Sequence, residues 1–270
     1  MLQVLGFKNQ LLHPLFKYIK YLYKGNSAHS IHSPFIFKLY NEAIKKQKKG
    51  NFYFPETVRT QLLNNENIIE LKGFGAGSRS YTNKIIQVKK HAKHSLKGKK
   101  ECTFFYQIIK YLNPDRILEL GTSFGVSTLY LNQAVPFAEI TTFEGELSIQ
   151  KMAIPHFLNR KIKSVVGDID ELLPAFLLSQ ARVDCVVFDA NHSYEPTMNY
   201  FEACLKKVHN DSFFIIDDIY WSKGMTKAWD EIKKHPKVKI SIDLYYFGIV
   251  FFRKEQPKEH FVLRQFQLID

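Results

Sequence analysis

The chain has 270 residues, 45% of them hydrophobic, and carries a formal net charge of +12. This length is enough for one large α/β core with an appendage, while no apolar run approaches the 18 residues that a membrane-spanning helix requires. The three cysteines, Cys102, Cys185 and Cys204, show no metal-binding or redox spacing. The N-terminal residues lack the pattern of a secretory signal peptide. We therefore expect a cytoplasmic protein with free thiols and no transmembrane segment.

The positive charge is concentrated in the first hundred residues. Residues 1–100 contain 19 Lys/Arg and 4 Asp/Glu, whereas residues 101–270 contain 19 and 22. This asymmetry predicts a basic N-terminal region, 1–100, that contacts an anionic partner such as RNA or a lipid surface. An ordinary solvated surface of a basic protein is the alternative.

The N-terminal region is predicted to be mostly helical. Residues 11–24 interleave aromatic residues with lysines at roughly helical spacing, which favours a helix docked on the core over an interfacial amphipathic helix. Residues 29–44 predict a loop followed by a helix, with Ser33 and Pro34 as N-cap and first helical residue. The stretch up to about residue 100 is polar and strand-poor, and its glycine turn at 74–80 is interpreted as a lid or hinge loop over a cofactor.

From residue 101 onward, helices and strands alternate. The predicted strands are 116–121, 138–143, 162–166, 184–188, 212–217, 237–243 and 246–252. The predicted helices are 101–112, 125–134, 147–158, 169–179, 195–207 and 224–235. This alternation predicts a doubly wound, Rossmann-like α/β sheet of seven strands, and the short connection before the last strand makes that strand antiparallel.

The most informative segment is 116–127, Arg-Ile-Leu-Glu-Leu-Gly-Thr-Ser-Phe-Gly-Val-Ser. It predicts a buried parallel strand that runs into a helix through a tight turn flanked by Gly121 and Gly125. The third glycine of a dinucleotide fingerprint and the lysine of a P-loop are both missing. Because Glu119 can attract an ammonium group while Ser127 and loop N–H groups hold a carboxylate, we predict a nucleotide with an amino-acid end, S-adenosylmethionine.

Further cofactor contacts are predicted where the parallel strands end, because ligands bind outside the carboxyl ends of such strands. Thr122 and Ser123 follow the first strand of the sheet. Glu144 follows the second, where a carboxylate can accept both ribose hydroxyls; a surface glutamate or helix cap is the alternative. Asp168 follows the third strand and either lies near the adenine or simply caps the next helix.

Three carboxylates, Asp189, Asp217 and Asp218, follow the next two strands of the sheet and should converge on its rim. Like charges at short range repel each other and raise their pKa values, and a divalent cation would relieve this. We therefore predict a Mg²⁺ site at these three residues. The alternative is that Asp217 and Asp218 cap a loop or bind the amine of the cofactor.

His192 lies three residues beyond Asp189, on the loop beside the same rim. An imidazole with an ordinary pKa of ~6.5 can remove a proton from an acceptor near neutral pH. We predict that His192 and Asp189 form the catalytic pair, and we also place Asp189 in the cofactor-binding set. Tyr194, Tyr220 and Trp221 either wall an acceptor pocket or contribute to packing.

Together these motifs resemble the class I S-adenosylmethionine-dependent methyltransferases, and among them the catechol and caffeoyl-CoA O-methyltransferase branch. The resemblance covers about 116–252. Its strongest element is residues 118–127, with Glu144 at the expected interval. Residues 189–194 (Asp-Ala-Asn-His-Ser-Tyr) are similar to the family's Asp-Ala-Asp-Lys-x-x-Tyr, and residues 216–221 (Ile-Asp-Asp-Ile-Tyr-Trp) to its Asp-Asn metal pair with a following Trp.

The resemblance implies a methyltransferase domain at 101–255, followed by a C-terminal tail at 256–270. It implies cofactor roles for Glu119, Gly121, Ser127 and Glu144, and a Mg²⁺-assisted methyl transfer in which His192 takes the proton. His192 stands where the family usually has Lys, and Asp218 where it usually has Asn; both residue types can perform the corresponding chemistry.

Three functions remain open from the sequence. The first is O-methylation of a small-molecule hydroxyl. The second is methylation of tRNA or rRNA docked on the basic N-terminal region, and the third is a non-catalytic cofactor-binding or membrane-surface protein. The hydrophobic C-terminal strand pair and the aromatic content also predict a homodimer.

Overall fold

The computed structural model describes residues 2–25, 31–45, 50–73 and 84–264, with side chains from residue 13 onward. The helices are α1 (Leu2–Lys24), α2 (Pro34–Leu39), α3 (Tyr53–Leu63), α4 (Val88–Ser95), α5 (Lys99–Leu112), α6 (Val126–Ala134), α7 (Leu147–Ala153), α8 (Ile169–Ser179), α9 (Tyr194–Cys204) and α10 (Lys223–Lys234). The strands are β1 (Ile68–Leu71), β2 (Lys84–Gln87), β3 (Arg116–Leu120), β4 (Glu139–Glu144), β5 (Ile162–Val166), β6 (Val183–Phe188), β7 (Val208–Asp217), β8 (Ile240–Asp243), β9 (Phe247–Phe251) and β10 (Glu259–Val262). A π-helical turn, Tyr40–Ile44, continues α2, and a 3₁₀ turn, Ile154–Phe157, continues α7.

The main sheet has eight strands in the order β10-β8-β9-β7-β6-β3-β4-β5. All neighbouring pairs are parallel except those of β9, which runs antiparallel to both β7 and β8. The chain leaves β3 for β4 and β5 on one side and returns to β6 and β7 on the other. The strand order therefore reverses between β3 and β6, where α/β sheets of this kind bind ligands.

The doubly wound α/β fold predicted from the sequence is confirmed, with one strand more than expected. Residues 259–262 pair in parallel with β8 as an edge strand, in a segment that we had interpreted as a tail. The polar stretch before residue 100 also contains a two-stranded antiparallel hairpin, β1 with β2. The glycine turn at 74–80, predicted as a lid or hinge, lies outside the described residues.

The N-terminal region packs on the sheet and shares its core. Ser33 caps α2 by accepting the Ile36 N–H, with Pro34 following, as predicted. Ile36 and Leu39 are fully buried in the hydrophobic cluster that includes sheet residues such as Ile215. This packing crosses the predicted boundary at residue 100.

The described part of α1 is docked on the core. The Tyr21 hydroxyl donates to the Leu263 carbonyl at 2.7 Å, and the Tyr245 hydroxyl donates to the Pro14 carbonyl at 2.9 Å. The ring of Tyr18 lies 4.9 Å from that of Tyr245. Among the described residues, no helix combines the length and the apolar character needed to cross a membrane.

Candidate active site

The glycine loop after β3 holds the ends of two strands together. Gly121 has a φ of 105°, and a Cβ there would lie 2.3 Å from the carbonyl oxygen of Asp189 at the end of β6. Gly125, with a φ of 80°, is the N-cap of α6, and a Cβ there would lie 2.5 Å from the ring of Phe157. Both positions therefore need glycine for backbone conformation and for space.

Glu119 forms the centre of a buried hydroxyl network beneath this loop. Its side chain has no exposed surface, and its carboxylate accepts hydrogen bonds from Ser127 at 2.8 Å, Thr128 at 2.5 Å and Thr142 at 2.7 Å. Burial raises the pKa of Glu119, while the three donated hydrogen bonds oppose this effect. The network ties β3, β4 and α6 together.

This network changes the roles that the sequence suggested for three side chains. Glu119 is fully buried and its oxygens already accept three hydrogen bonds, so it is not placed to attract an ammonium group. The Ser127 hydroxyl donates its proton to Glu119 and cannot donate it to a carboxylate as well. Thr122 is also fully buried, with its hydroxyl 2.6 Å from that of Thr142. These side chains support the loop from below. The N–H groups of Gly121, Thr122 and Gly125 donate to backbone carbonyls, and that of Ser123 donates to Glu144. A ligand at the loop would therefore be contacted by the Phe124 N–H and by the first turn of α6.

Glu144 lies at the tip of β4, as expected for a residue that binds ribose. One carboxylate oxygen accepts the Ser123 N–H at 2.8 Å and the other accepts the Glu146 N–H at 2.9 Å. Burial raises the pKa of Glu144 to about 7, and those two hydrogen bonds limit the rise. Each oxygen keeps a further lone pair, so the oriented carboxylate can still accept two hydroxyl groups.

Glu146 was not anticipated from the sequence. It is buried, and its carboxylate accepts the N–H groups of Lys72 at 2.9 Å and Gly73 at 2.6 Å, just after β1. The hairpin of the N-terminal region is thereby tied to the turn that carries Glu144. A glutamate two residues after another at a strand end is the only sequence signal for this contact.

Asp168 caps α8. Its Oδ1 accepts the Asp170 N–H at 2.9 Å, and the backbone of Asp168 is extended, as is usual for an N-cap residue. The capping role considered from the sequence is therefore present, and its second oxygen remains available to a ligand beyond β5.

Asp189 and Asp217 meet at the ends of β6 and β7, and a lysine joins them. The Lys97 ammonium lies 3.2 Å from Asp189 Oδ2 and forms a shorter contact with Asp217 Oδ2. The Lys97 side chain is only 10% exposed. Burial lowers the pKa of Lys97, but the two carboxylates outweigh burial and hold it well above its usual range.

The surroundings shift the pKa values of the two aspartates in opposite directions. Burial and the neighbouring Asp217 raise the pKa of Asp189 well above its usual range, although Lys97 opposes this. The pKa of Asp217 is lowered because Lys97 and a hydrogen bond from Asp189 outweigh its burial. Asp217, beside Lys97, therefore keeps its negative charge more firmly than Asp189 does.

Lys97 is the main residue that the sequence analysis missed. It lies between α4 and α5, in a region with 19 basic residues, and nothing in its local sequence distinguishes it from the other lysines. Its partner Asp217 is 120 residues away along the chain.

His192 lies between two carboxylates on the loop after β6. Its Nε2 is 3.8 Å from Asp189 Oδ1 and its Nδ1 is 3.7 Å from Asp218 Oδ2, both longer than a hydrogen bond. Burial lowers the pKa of His192, with Lys97 adding to this effect and Asp217 opposing it. The imidazole is therefore neutral at pH 7 and able to accept a proton.

Three residues at this rim have left-handed backbone conformations that non-glycine residues rarely adopt. They are Ser123 with a φ of 48°, Asn191 with 51° and Asp218 with 54°. Each follows a different strand, β3, β6 or β7. Strain of this kind is concentrated at functional sites, where surrounding contacts hold it in place.

The aromatic residues predicted to wall a pocket differ in their surroundings. The Tyr194 hydroxyl donates to Glu231 at 2.6 Å, and the Tyr220 hydroxyl donates to Asp243. Trp221 is 67% exposed. The two tyrosines are thus engaged with neighbouring elements, and Trp221 is free to contact a molecule at the rim.

The predicted Mg²⁺ site conflicts with Lys97. Ligand atoms of Asp189, His192 and Asp217 lie within 4.8 Å of one another, a group that does not include Asp218. However, the Lys97 ammonium contacts both carboxylates of this group. A divalent cation on the same oxygens would lie beside a buried positive charge, so these residues do not fit Mg²⁺ in this arrangement.

Comparison with known proteins places this geometry in context. Residues 118–219 match a family model described as a methyltransferase domain. The fold resembles a methyltransferase from Podospora anserina bound to S-adenosylhomocysteine, with a TM-score of 0.57 and 14% identity over 85% of this chain and 100% of that one. It also resembles an O-methyltransferase of Streptomyces achromogenes in complex with S-adenosylmethionine (TM-score 0.50, 20% identity, 59% of this chain and 82% of that one).

A Staphylococcus aureus structure provisionally named a caffeoyl-CoA O-methyltransferase is similar as well, with a TM-score of 0.52 and 15% identity over 60% of this chain and 88% of that one. At these identities the structural likeness establishes the fold alone. Residues 118–219 are similar to a methyltransferase domain. Both findings agree with the resemblance to class I S-adenosylmethionine-dependent methyltransferases that the sequence motifs carry.

Proposed function

We propose that this enzyme methylates a hydroxyl group of a small molecule, with His192 as the general base. The observation that carries this proposal is the position of the His192 imidazole, 3.8 Å from Asp189 Oδ1 at the rim where β6 ends, beside the glycine loop that follows β3. A base at that position can remove the proton of an acceptor that is held next to a cofactor on the loop.

The chain's residues fit S-adenosylmethionine, which supplies a methyl group on an electrophilic sulfonium. Glu144 would accept the ribose hydroxyls with its oriented carboxylate. The Phe124 N–H and the N–H groups in the first turn of α6 would hold the carboxylate end. Asp168 would lie near the adenine, and Glu119 would act indirectly by fixing the loop.

The proposed transfer is a single displacement. The acceptor oxygen attacks the methyl carbon, an O–C bond forms as the S–C bond breaks, and the bonding electron pair returns to sulfur. The hydroxyl proton moves to a ring nitrogen of His192. Asp189 and Asp218, at 3.8 and 3.7 Å from that ring, lie close enough to stabilise the resulting positive charge.

Calorimetric titration with S-adenosylhomocysteine tests the cofactor part. We expect the wild type to bind and Glu144→Ala to bind at least about tenfold more weakly, because a hydrogen bond to a charged group contributes about 1.5–3 kcal/mol. Absence of binding by the wild type would refute the proposal.

Labelled methyl transfer to a panel of phenolic and aliphatic hydroxyl compounds tests the base. We expect His192→Gln to keep its affinity for S-adenosylhomocysteine and to lose about 10²- to 10⁴-fold in rate, the usual contribution of a general base. Glu195→Gln, on the same loop–helix segment, serves as the matched control. Binding without turnover on any acceptor would instead support a non-catalytic cofactor-binding protein.

The exposed face of α1 suggests where the basic N-terminal region docks. Leu15, Phe16, Ile19, Leu22 and Tyr23 form one stripe at helical spacing, and all five are exposed. On a 3.6-residue helix, the lysines at 17, 20 and 24 fall along one edge of this stripe. An apolar stripe with a basic edge is complementary to an anionic lipid surface, which we favour over RNA as the partner.

Vesicle sedimentation with and without phosphatidylserine tests this partner. We expect binding to anionic vesicles that Ile19→Glu abolishes, whereas Phe137→Glu, at a similarly exposed phenylalanine, leaves it unchanged. Salt-sensitive RNA binding without vesicle binding would favour the RNA alternative. A dimer that Ile19→Glu dissociates would show that a second copy covers the stripe.

A further inference from the structure

We propose that Lys97 is the built-in cation of the acceptor site and that methyl transfer here needs no divalent metal. The role in methyl transfer rests on the proposed function. The exclusion of metal rests only on where the Lys97 ammonium lies, so the two can be tested separately.

The Lys97 ammonium lies between the carboxylates of Asp189 and Asp217 and contacts both. It contacts Asp189 Oδ2 at 3.2 Å and Asp217 Oδ2 more closely, and both carboxylates belong to the group that could hold a metal. Asp217 is 5% exposed and Lys97 10%, so water screens their interaction only weakly. A divalent ion on these carboxylates would lie beside the buried ammonium, and the repulsion between the two cations opposes its binding.

Contacts at the backbone and at the ammonium group hold Lys97 in place. The Arg59 guanidinium on α3 donates to the Lys97 carbonyl at 2.6 Å and to Glu56 at 2.9 Å. The ammonium also lies 5.2 Å from the ring centre of Phe105 and 5.9 Å from that of Phe247, within the range of cation–π contacts. An ammonium fixed by two carboxylates, two rings and a tethered backbone does not readily leave.

The consequence for the reaction is indirect, so Lys97 is a positioning residue. By fixing Asp189 and Asp217 it sets the face of the rim against which the His192 ring lies. The permanent positive charge also offsets the negative charge of Asp217, which a metal would otherwise have to do. Without a metal to lower the pKa of the acceptor hydroxyl, proton removal depends on His192.

Titration with Mn²⁺ alone, followed by electron paramagnetic resonance, tests this assignment without any substrate. We expect the wild type and Lys97→Arg to show no site with a Kd below about 1 mM. Lys97→Met removes the charge while keeping the length of the side chain. It should bind one Mn²⁺ at least about tenfold more tightly, and adding Asp217→Asn should abolish that binding. Lys99→Met, at an exposed lysine two residues away, should behave like the wild type.

Activity provides the second measurement. Wild-type methyl transfer should be unchanged by a chelator, and Lys97→Met should lose about 10- to 100-fold, the range seen when the groups that orient a site are removed. Lys97→Arg should retain most of the activity, because it keeps the charge. Wild-type Mn²⁺ binding that Asp217→Asn removes, or wild-type activity that a chelator abolishes and Mg²⁺ restores, would overturn the proposal.

These outcomes are distinguishable from failure of the proposed function. If the wild type does not bind S-adenosylhomocysteine, the methyltransferase proposal fails, while the Mn²⁺ titration still decides whether Lys97 excludes metal. If Lys97→Met does not fold, the Mn²⁺ titration and the chelator measurement on the wild type still decide whether the enzyme uses a metal.

Discussion

The two halves of the candidate site are built by different means. The cofactor half, at the ends of β3 and β4, is held by neutral hydroxyls and backbone N–H groups around Glu119 and Glu144. The acceptor half, at the ends of β6 and β7, is held by ion pairs around Lys97. The first depends on shape and glycine conformations and should tolerate changes of charge nearby. The second depends on one positive charge and should respond strongly to its loss.

The largest expected effect is in the acceptor half. Lys97→Met leaves two buried carboxylates without their cation, and removing one partner of a buried ion pair lowers the free energy of unfolding by about 3–5 kcal/mol. Lys99→Met, at an exposed lysine, should change it by less than about 0.5 kcal/mol. Urea denaturation at pH 7 measures both. Equal effects of the two substitutions would contradict the importance of charge in this half.

A somewhat smaller effect is expected from Gly121→Ala in the cofactor half. A Cβ at this position overlaps the Asp189 carbonyl, and alanine is strained at a φ of 105°, so the free energy of unfolding should fall by about 2–3 kcal/mol. Gly224→Ala, whose Cβ would meet nothing closer than 3.4 Å, is the matched control and should be nearly neutral. A neutral Gly121→Ala would show that the loop is not held by shape.

The pH dependence of cofactor binding is expected to be a smaller effect, and it also distinguishes the two halves. The pKa of Glu144 is raised to about 7, and only its ionised form can accept both ribose hydroxyls, so affinity for S-adenosylhomocysteine should increase as pH rises from 6 to 8. The change cannot exceed tenfold per pH unit for one proton. Calorimetry at three pH values measures it.

The control for this pH effect is a second carboxyl with the same pKa. Burial and the nearby Asp217 raise the pKa of Asp218 to about 7 as well. Glu144→Gln should remove the pH dependence of binding, and Asp218→Asn should retain it. The reverse result would assign cofactor binding to the acceptor half.

The smallest effect concerns Asp168. Asp168→Ala removes the N-cap of α8 and should lower the free energy of unfolding by about 1 kcal/mol, whereas Asp168→Asn keeps the cap. If Asp168 also contacts the adenine, Asp168→Asn should still weaken S-adenosylhomocysteine binding. Unchanged binding by this variant would leave Asp168 with a capping role alone.

The sequence predicted the strands and the glycine loop of the site, but not Lys97 or the strand Glu259–Val262. Apolar strands alternating with amphipathic helices are local patterns, so β3 to β7 and the loop at Gly121 could be identified directly. The short, partly polar strand Glu259–Val262 has no such pattern, and it forms because the edge of β8 is available to it. Its existence depends on contacts that the local sequence does not encode.

The side-chain roles show the same limit. The sequence predicted that Glu119 and Glu144 lie at the ends of neighbouring strands. It did not predict that Glu119 is buried and accepts three hydroxyl groups, whereas Glu144 keeps lone pairs for a ligand. Lys97 could not be identified because long-range packing selects it from many similar lysines. The sequence predicted a Mg²⁺ site at Asp189, Asp217 and Asp218, whereas the structure places the Lys97 ammonium against the first two.

The position of Lys97 also bears on where this chain can be divided. A fragment starting at residue 101 would retain the main sheet and every strand end of the candidate site. If the domain boundary were chosen from the strands alone, this fragment would be regarded as complete. That fragment would lack Lys97 and Arg59, leaving Asp189 and Asp217 without their positive partner. A unit that keeps the candidate site therefore includes α3 to α5. Because α2 shares the core of the sheet, a junction for domain exchange belongs before α2.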